Sequence, residues 1–273
     1  MIALCAVCAF AGFIKEGMDA KDQGDHKKLI EIYEKACNDG QSTGCYNLAV
    51  VYAEGTGKVE QNFSKAFLYY QKACDQNFTA ACYNLGILYA EGKGTAQDYE
   101  KASRLYDQSC KDDDSGCNNL GLLYAEGKGV SQDYKKASEL YKQACKAENF
   151  TGCNNLGFLY QQGKGVAQDY KKASEYYQQA CDANVSMGCD NLGLLYANGF
   201  GVKQDFLKAS QFYDRACQSG YEKGCNNLAI LYAEGKGVKA DAQKAKELFQ
   251  KSCDKGLKIG CENMKVLNDL TQH

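Results

Sequence analysis

The sequence predicts an all-α fold, an α/α solenoid of disulfide-stapled repeats. Three observations carry that reading: a motif that recurs about every 36 residues, two helical patterns inside each motif, and cysteines placed in pairs at a fixed point of the motif.

The period is read from the first cysteine of each pair. Successive first cysteines lie 37, 36, 35, 36, 36 and 36 residues apart. One insertion near Thr56 to Glu60 and one deletion near Asp112 to Ser115 account for the outliers. Residues 116–129 (GCNNLGLLYAEGKG) and 224–237 (GCNNLAILYAEGKG) differ at only two positions.

Two helices fit inside one unit. In the first, helix A, Cys117, Leu120, Gly121 and Tyr124 fall at i, i+3, i+4 and i+7, one face of a helix. Gly127 and Gly129 then end it. In the second, helix B, Tyr134, Ala137, Tyr141, Ala144 and Cys145 continue a 3.6-residue stripe. Asp98, Asp133, Asp169 and Asp205 stand where a helix N-terminus favours an acid. Gly86, Gly121, Gly157 and Gly193, with Ala49 and Ala229 in register, allow helices to approach closely. A two-helix unit cannot bury its apolar face alone, so neighbours must stack. The expected array starts with helices over residues 13–21 and 26–38, continues through about seven pairs, and closes on a lone helix over residues 257–270. Lys265, Asn268 and Asp269 give that closing helix a polar face. No linker composition interrupts the array, so residues 12–273 are expected to form a single repeat domain.

The chain has 16 cysteines in 273 residues, which argues for an oxidising compartment. Seven pairs are regular: Cys37 with Cys45, Cys74 with Cys82, Cys110 with Cys117, Cys145 with Cys153, Cys181 with Cys189, Cys217 with Cys225, and Cys253 with Cys261. Eight residues along one straight helix rise about 12 Å, whereas a disulfide needs Cα atoms within about 7 Å. A bond within a pair therefore requires the chain to reverse between its members. The intervening Asn38-Asp39-Gly40 and Gln218-Ser219-Gly220 suit a turn. Each bridge would tie the end of a helix B to the start of the next helix A. Zinc is the rival reading, but the spacing is wrong for it and the only histidines, His26 and His273, lie away from the pairs. No metal and no cofactor are expected.

Cys5 and Cys8 fall outside the scheme, in the uncharged apolar stretch MIALCAVCAFAG. With Ala9-Phe10-Ala11 as a cleavage pattern, residues 1–11 read as the core of an export signal, although a basic n-region is missing. The alternative is a hydrophobic end cap on the first helix. The stretch is short of the roughly 20 apolar residues a membrane span needs. A secreted or periplasmic monomer is expected. Charge is nearly balanced, 32 Lys+Arg against 34 Asp+Glu, with no run of one sign, so neither nucleic acid nor a membrane surface is an expected partner.

The unit resembles the Sel1-like repeat family, helix pairs similar to tetratricopeptide repeats. The core L-Y-A-E-G-K-G-V-x-Q-D-Y-x-K-A recurs from Leu88, Leu123 and Leu159, the last with Gln161-Gln162 in place of Ala-Glu. The A-C-x7-C staple is similar to that of the Helicobacter-type cysteine-rich secreted proteins. The resemblance implies export, helix-joining disulfides, a right-handed superhelix and a role in host or envelope interactions. It also implies an alternative function, a penicillin-binding protein or slow beta-lactamase that takes beta-lactams or peptidoglycan-like peptides.

The residues do not display such an active site. The single S-x-x-K, Ser252-Cys253-Asp254-Lys255, lacks the S-D-N and K-T-G companions. Ser252 also occupies the slot held by Ala36, Ala73, Ala144, Ala180 and Ala216. Glu54, Glu91, Glu126 and Glu234 recur one or more repeats apart, too far for a catalytic carboxylate pair. They are expected to solvate a loop or order its backbone.

The expected activity is binding of a protein or peptide on the concave, helix A side of the array. With Cys, Leu and Tyr turned inward, an outward stripe of three positions per repeat is read. It runs through Tyr46, Val50 and Ala53; Tyr83, Ile87 and Ala90; Asn118, Leu122 and Ala125; Asn154, Phe158 and Gln161; Asp190, Leu194 and Ala197; and Asn226, Ile230 and Ala233. Amides along it would pair with peptide backbone and apolar groups would supply burial. A second series, Asn47, Asn84, Asn119, Asn155, Asn191, Asn227 and Asn263, never varies. It reads as structural, bonding an inter-repeat backbone group, with a peptide-reading amide ladder as the alternative.

Overall fold

The computed structural model describes the backbone of residues 2–271 and the side chains of residues 12–269. Among these residues there are fifteen helices and no strand. They are α1 (Ile2–Asp22), α2 (His26–Asn38), α3 (Ser42–Glu54), α4 (Phe63–Cys74), α5 (Thr79–Glu91), α6 (Tyr99–Asp113), α7 (Cys117–Glu126), α8 (Tyr134–Lys146), α9 (Phe150–Gln162), α10 (Tyr170–Asp182), α11 (Ser186–Asn198), α12 (Phe206–Gln218), α13 (Glu222–Glu234), α14 (Ala242–Asp254) and α15 (Lys258–Thr271). Odd numbers from α3 are A helices and even numbers are B helices. The segment read as an export signal falls on the backbone of α1, and the side chains of residues 1–11 lie outside the described residues.

The chain forms two compact units, Met1–Asp133 and Tyr134–His273. Within each, every helix packs on the next in sequence. In the second unit α9 also touches α11, α11 touches α13, and α13 touches α15, so its A helices lie side by side. This is the architecture of an all-α repeat solenoid.

Local chemistry explains the helix boundaries. Asp98, Asp169, Asp205 and Asp241 each accept a hydrogen bond from the backbone N–H three residues on, at 2.9–3.0 Å, the N-cap that the recurring acid predicted. Gly163 ends α9 in the left-handed region (φ 64°), and its N–H bonds back to Leu159 O. Two residues later Gly165 passes so close to the start of α8 that a Cβ there would stand 2.2 Å from the carbonyl carbon of Tyr134. Only glycine lets the A–B loop of one repeat rest on helix B of the repeat before it.

The core follows the same repeat. Each B helix from α2 to α14 contributes one buried ring: Tyr33, Tyr70, Tyr106, Tyr141, Tyr177, Tyr213 and Phe249. Rings of Tyr106, Tyr177 and Tyr213 lie directly on Gly86, Gly157 and Gly193, where a Cβ would come within 2.7–2.9 Å of ring carbons. The small residue on helix A thus sets how close the two helices of a pair come.

Seven disulfides join the repeats: Cys37 to Cys45, Cys74 to Cys82, Cys110 to Cys117, Cys145 to Cys153, Cys181 to Cys189, Cys217 to Cys225, and Cys253 to Cys261. Their Cα–Cα distances are 4.5–4.7 Å, so the chain does reverse inside every pair. Each bridge ties the end of a B helix to the first turn of the next A helix, as expected. Cys117 opens α7. Cys45, Cys82, Cys153, Cys189, Cys225 and Cys261 are each the fourth residue of their helix, so six bridges land one turn inside it. The deletion near Asp112 removes that extra first turn from α7. In either position the second cysteine of these pairs reaches the core, Cys117 included at 0% exposure. Cys45, Cys82, Cys153 and Cys225 are fully buried, whereas Cys261 is half-buried because no further A helix covers α15. These cysteines are structural staples, bonded in pairs.

Candidate functional site: the A-helix stripe and its amide ladder

The stripe divides by position. Its middle position is open where expected: Leu122 is 42% and Phe158 45% exposed. Val50, Ile87, Leu194 and Ile230 at the same position are half-buried. The first position is different. Asn154, Asp190 and Asn226 are only 5%, 4% and 6% exposed, so the expectation that they look outward is corrected. Asn118, Tyr46 and Tyr83 are half-buried.

The cause is the neighbouring A helix, which covers that position and reaches into it. Asn191 Nδ2 donates to Asn154 Oδ1 at 2.9 Å, Asn227 Nδ2 to Asp190 Oδ1 at 2.8 Å, and Asn263 Nδ2 to Asn226 Oδ1 at 2.9 Å. At Asn191, Asn227 and Asn263 the second asparagine series is thus structural, but the acceptors are side chains of the preceding repeat instead of backbone groups. In the first unit the acceptor changes. Asn119 Nδ2 donates to Tyr83 Oη at 3.4 Å, and Tyr46 packs its ring on Phe78 (centroids 5.0 Å) and Tyr70 (5.8 Å). The sequence held one signal for this ladder. The variable first position is always an acceptor-bearing Asn, Asp or Tyr, and the invariant Asn stands one repeat plus one residue later.

Asp190 is the one carboxylate in the ladder. Burial pushes its carboxyl up to about 6, against the lowering effects of the Asn227 hydrogen bond and the charge of Lys223. Glu222 adds a smaller upward push. Burial, with the Asp190 charge, also raises the phenols of Tyr213 and Tyr221, the latter to about 12.

The open part of the stripe borders a groove in the first unit. Ile87, Ala90 and Leu122 form its apolar edge, Tyr106 and Asn119 lie within it, and its volume is about 340 Å³. Glu91, Glu126 and Lys128 rim it. Three of the four recurring glutamates pair with the lysine two residues on, Glu91–Lys93 at 2.7 Å, Glu126–Lys128 at 2.8 Å and Glu234–Lys236 at 2.9 Å, whereas Glu54 has Thr56 at that place. The same lysines lie over the ring that opens the preceding helix B, Lys93 over Phe63 and Lys128 over Tyr99. These three glutamates therefore anchor the loop lysines.

Ser252 is 0% exposed and its Oγ has no hydrogen-bond partner. A Cβ on Gly260 would lie 2.5 Å from that Oγ, so helix A of the next repeat seals it in. No substrate reaches it, and the hydrolase alternative gains nothing from this structure. Ser252→Ala removes an unpartnered buried hydroxyl, so urea unfolding should show stability unchanged or raised by about 1 kcal/mol. A loss of that size would mean that the hydroxyl has a partner. Among the described residues no cluster of His, Cys, Asp and Glu is arranged to hold a metal ion.

The Sel1 repeat model matches residues 42–78, 79–114, 115–149, 151–185, 186–221 and 223–257. A Sel1 repeat protein from Oxalobacter formigenes is 27% identical, with a TM-score of 0.81 over 88% of this chain and 99% of its own. A protective antigen of uropathogenic Escherichia coli, described as displaying an SLR fold, is 29% identical with a TM-score of 0.78 over 86% of this chain. The present chain spans 50% of that antigen's length. Cysteine rich protein B of Helicobacter pylori is 34% identical over 48% of this chain and 94% of its own, with a TM-score of 0.40. No curated protein sequence matches the chain. The repeat boundaries drawn by the family model coincide with the helix pairs and their cysteine staples, and the chain belongs to the Sel1 repeat family.

Proposed function

We propose that the protein is an exported scaffold that holds an extended polypeptide against the open positions of its A helices. The groove bounded by Ile87, Ala90 and Leu122 carries this reading. It has an apolar edge, an amide and a phenol within, and a charged rim, the mixture that grips a side chain while leaving backbone amides paired. In the second unit Phe158 offers a comparable anchor, a ring 45% exposed with Lys164 Nζ 6.0 Å from its centroid. Exposed rings at the middle of a binding face often account for a large share of the affinity. Export is supported by the seven disulfides, which persist in oxidising compartments. Among the described residues no helix is long and apolar enough to cross a membrane.

The test uses a peptide selected from a random library against the oxidised wild-type protein. Phe158→Ala should weaken its binding about 30-fold, the equivalent of about 2 kcal/mol. Thermal stability should barely change, because the ring is not in the core. Lys142→Ala, on the exposed side of α8, should leave affinity intact. Loss of several kcal/mol of stability with affinity unchanged would place the ring in the core and reject the stripe.

A further inference from the structure

We propose that Asn77 and Asn184 are acceptor sites for N-linked glycan. Each stands in an Asn-x-Ser/Thr tripeptide without proline, Asn77-Phe78-Thr79 and Asn184-Val185-Ser186. Each occupies the tip of the turn that joins a helix B to the next helix A, between the two cysteines of a staple.

Both tips have one geometry. Asn77 and Asn184 are exposed and left-handed, with φ of 59° and 62°. The middle residues, Phe78 (φ −84°, ψ 98°) and Val185 (φ −74°, ψ 103°), are extended or nearly so. Thr79 and Ser186 then open α5 and α11. Neither asparagine side chain makes a hydrogen bond among the described residues, so the carboxamide Nδ2 is free to an enzyme. Thr79 Oγ1 donates weakly to Asp112 at 3.3 Å, an exposed contact that an approaching active site displaces readily.

The turn alone explains asparagine but not the hydroxyl that follows it. The left-handed tip holds Gly40, Gly220 and Gly256 elsewhere, and Asp114 and Glu148 in two repeats. Two residues beyond these tips stand Ser42, Glu222, Lys258, Gly116 and Phe150, a hydroxyl in one case of five. Behind both asparagines a hydroxyl is present.

Two further tripeptides serve as internal controls. Asn62-Phe63-Ser64 and Asn149-Phe150-Thr151 follow the same Asn-x-Ser/Thr pattern, but both asparagines cap helices. Asn62 Oδ1 accepts from Lys65 N at 2.9 Å and Asn149 Oδ1 from Gly152 N at 3.3 Å. Modifying them requires turning the carboxamide out of its cap.

The co-reactant is a polyprenyl-diphosphate-linked oligosaccharide, used by an oligosaccharyltransferase. A bond forms between Asn Nδ2 and the anomeric carbon of the first sugar. The bond from that carbon to the diphosphate oxygen breaks, the diphosphate leaves with its electron pair, and the amide proton passes to a base of the enzyme.

Occupancy in the cell rests on the export proposed above; the acceptor assignment does not. Purified, oxidised full-length protein is therefore incubated with a purified oligosaccharyltransferase and its lipid-linked oligosaccharide, and glycopeptides are mapped by mass spectrometry. Glycan should appear at Asn77 and Asn184 before Asn62 or Asn149. Asn77→Gln and Asn184→Gln should each remove one glycan mass, and the double variant both, with the chain folded and unfolding midpoints lowered only slightly, since the left-handed tip favours asparagine but already holds Glu148 elsewhere. Failure of the folded protein to accept glycan from an enzyme active on its own acceptor peptide overturns the assignment, as does transfer led by Asn62 or Asn149. A separate fractionation of producing cells decides export.

Discussion

Replacing Cys181 and Cys189 together by alanine should lower stability by about 2–3 kcal/mol. The bridge closes a loop of only a few residues, for which chain entropy gives about 2.5 kcal/mol. Both sulfurs lie in the core, Cys181 at 0% and Cys189 at 2% exposure, so their loss also opens a small void. Alanine avoids burying the two new hydroxyls that serine would bring. The effect should be local. A repeat contacts only its neighbours, so hydrogen exchange should quicken most in α10 and α11, whose ends the bridge joins. Urea unfolding and exchange mapping measure both. A change under about 0.5 kcal/mol would mean that packing alone holds the junction. Complete reduction of seven bridges should remove stability comparable to the whole net value of a domain, about 5–15 kcal/mol.

Asp190→Asn should stabilise the protein at pH 7.5 and leave it unchanged near pH 4. The native carboxyl is raised from 3.8 to about 6. Below pH 4 it is protonated in both native and unfolded chains, and the ladder then keeps its full stability. As pH rises through about 6 the buried group must ionise, and that contribution is lost. The difference of about two pH units corresponds to about 3 kcal/mol at pH 7.5. Asparagine keeps an acceptor for Asn227, carries no charge, and already stands at 154 and 226 in the same ladder. The charged groups facing Asp190 are Lys223 and Glu222, with the phenols of Tyr213 and Tyr221 beside them. Lys223 favours the ionised form, so Lys223→Ala should deepen the loss at pH 7.5. Unfolding curves at several pH values check this. A gain that does not depend on pH, or a loss at pH 7.5, contradicts the buried charge.

The sequence was most legible where the physics is local. The caps at Asp98 and Asp169, the glycine ends such as Gly163, and the turns between paired cysteines each depend on a few neighbouring residues. The repeat then multiplied each signal, so helix order followed. The first turn of helix A was less legible: Ser42-Thr43-Gly44 lies ahead of the stripe read from Cys45 onward, and it packs on the preceding helix B, where a Cβ on Gly44 would lie 2.6 Å from the Ala36 Cβ. The phase of the A helices was also hidden. In α9, Leu156 and Leu159 are buried while Phe158 between them is open, so apolar residues point in several directions and periodicity alone does not rank the faces. The burial of Asn154, Asp190 and Asn226 depends on how far one A helix is rotated against the next, a property of stacking that no single helix encodes. The same limit hid the acceptors of the asparagine series: constancy showed a structural duty, and only the packed neighbours show the side chains it serves.

Position-resolved photo-crosslinking tests the central claim that the open A-helix positions hold a polypeptide. A photoreactive phenylalanine analogue is placed at Leu122, at Phe158, or at the B-helix position Lys142, in cells that make and export the protein. Adducts to polypeptide should form at 122 and 158 and be absent at 142. Adducts at 142 with none at 122 or 158 would place the partner on the B-helix side and contradict the account.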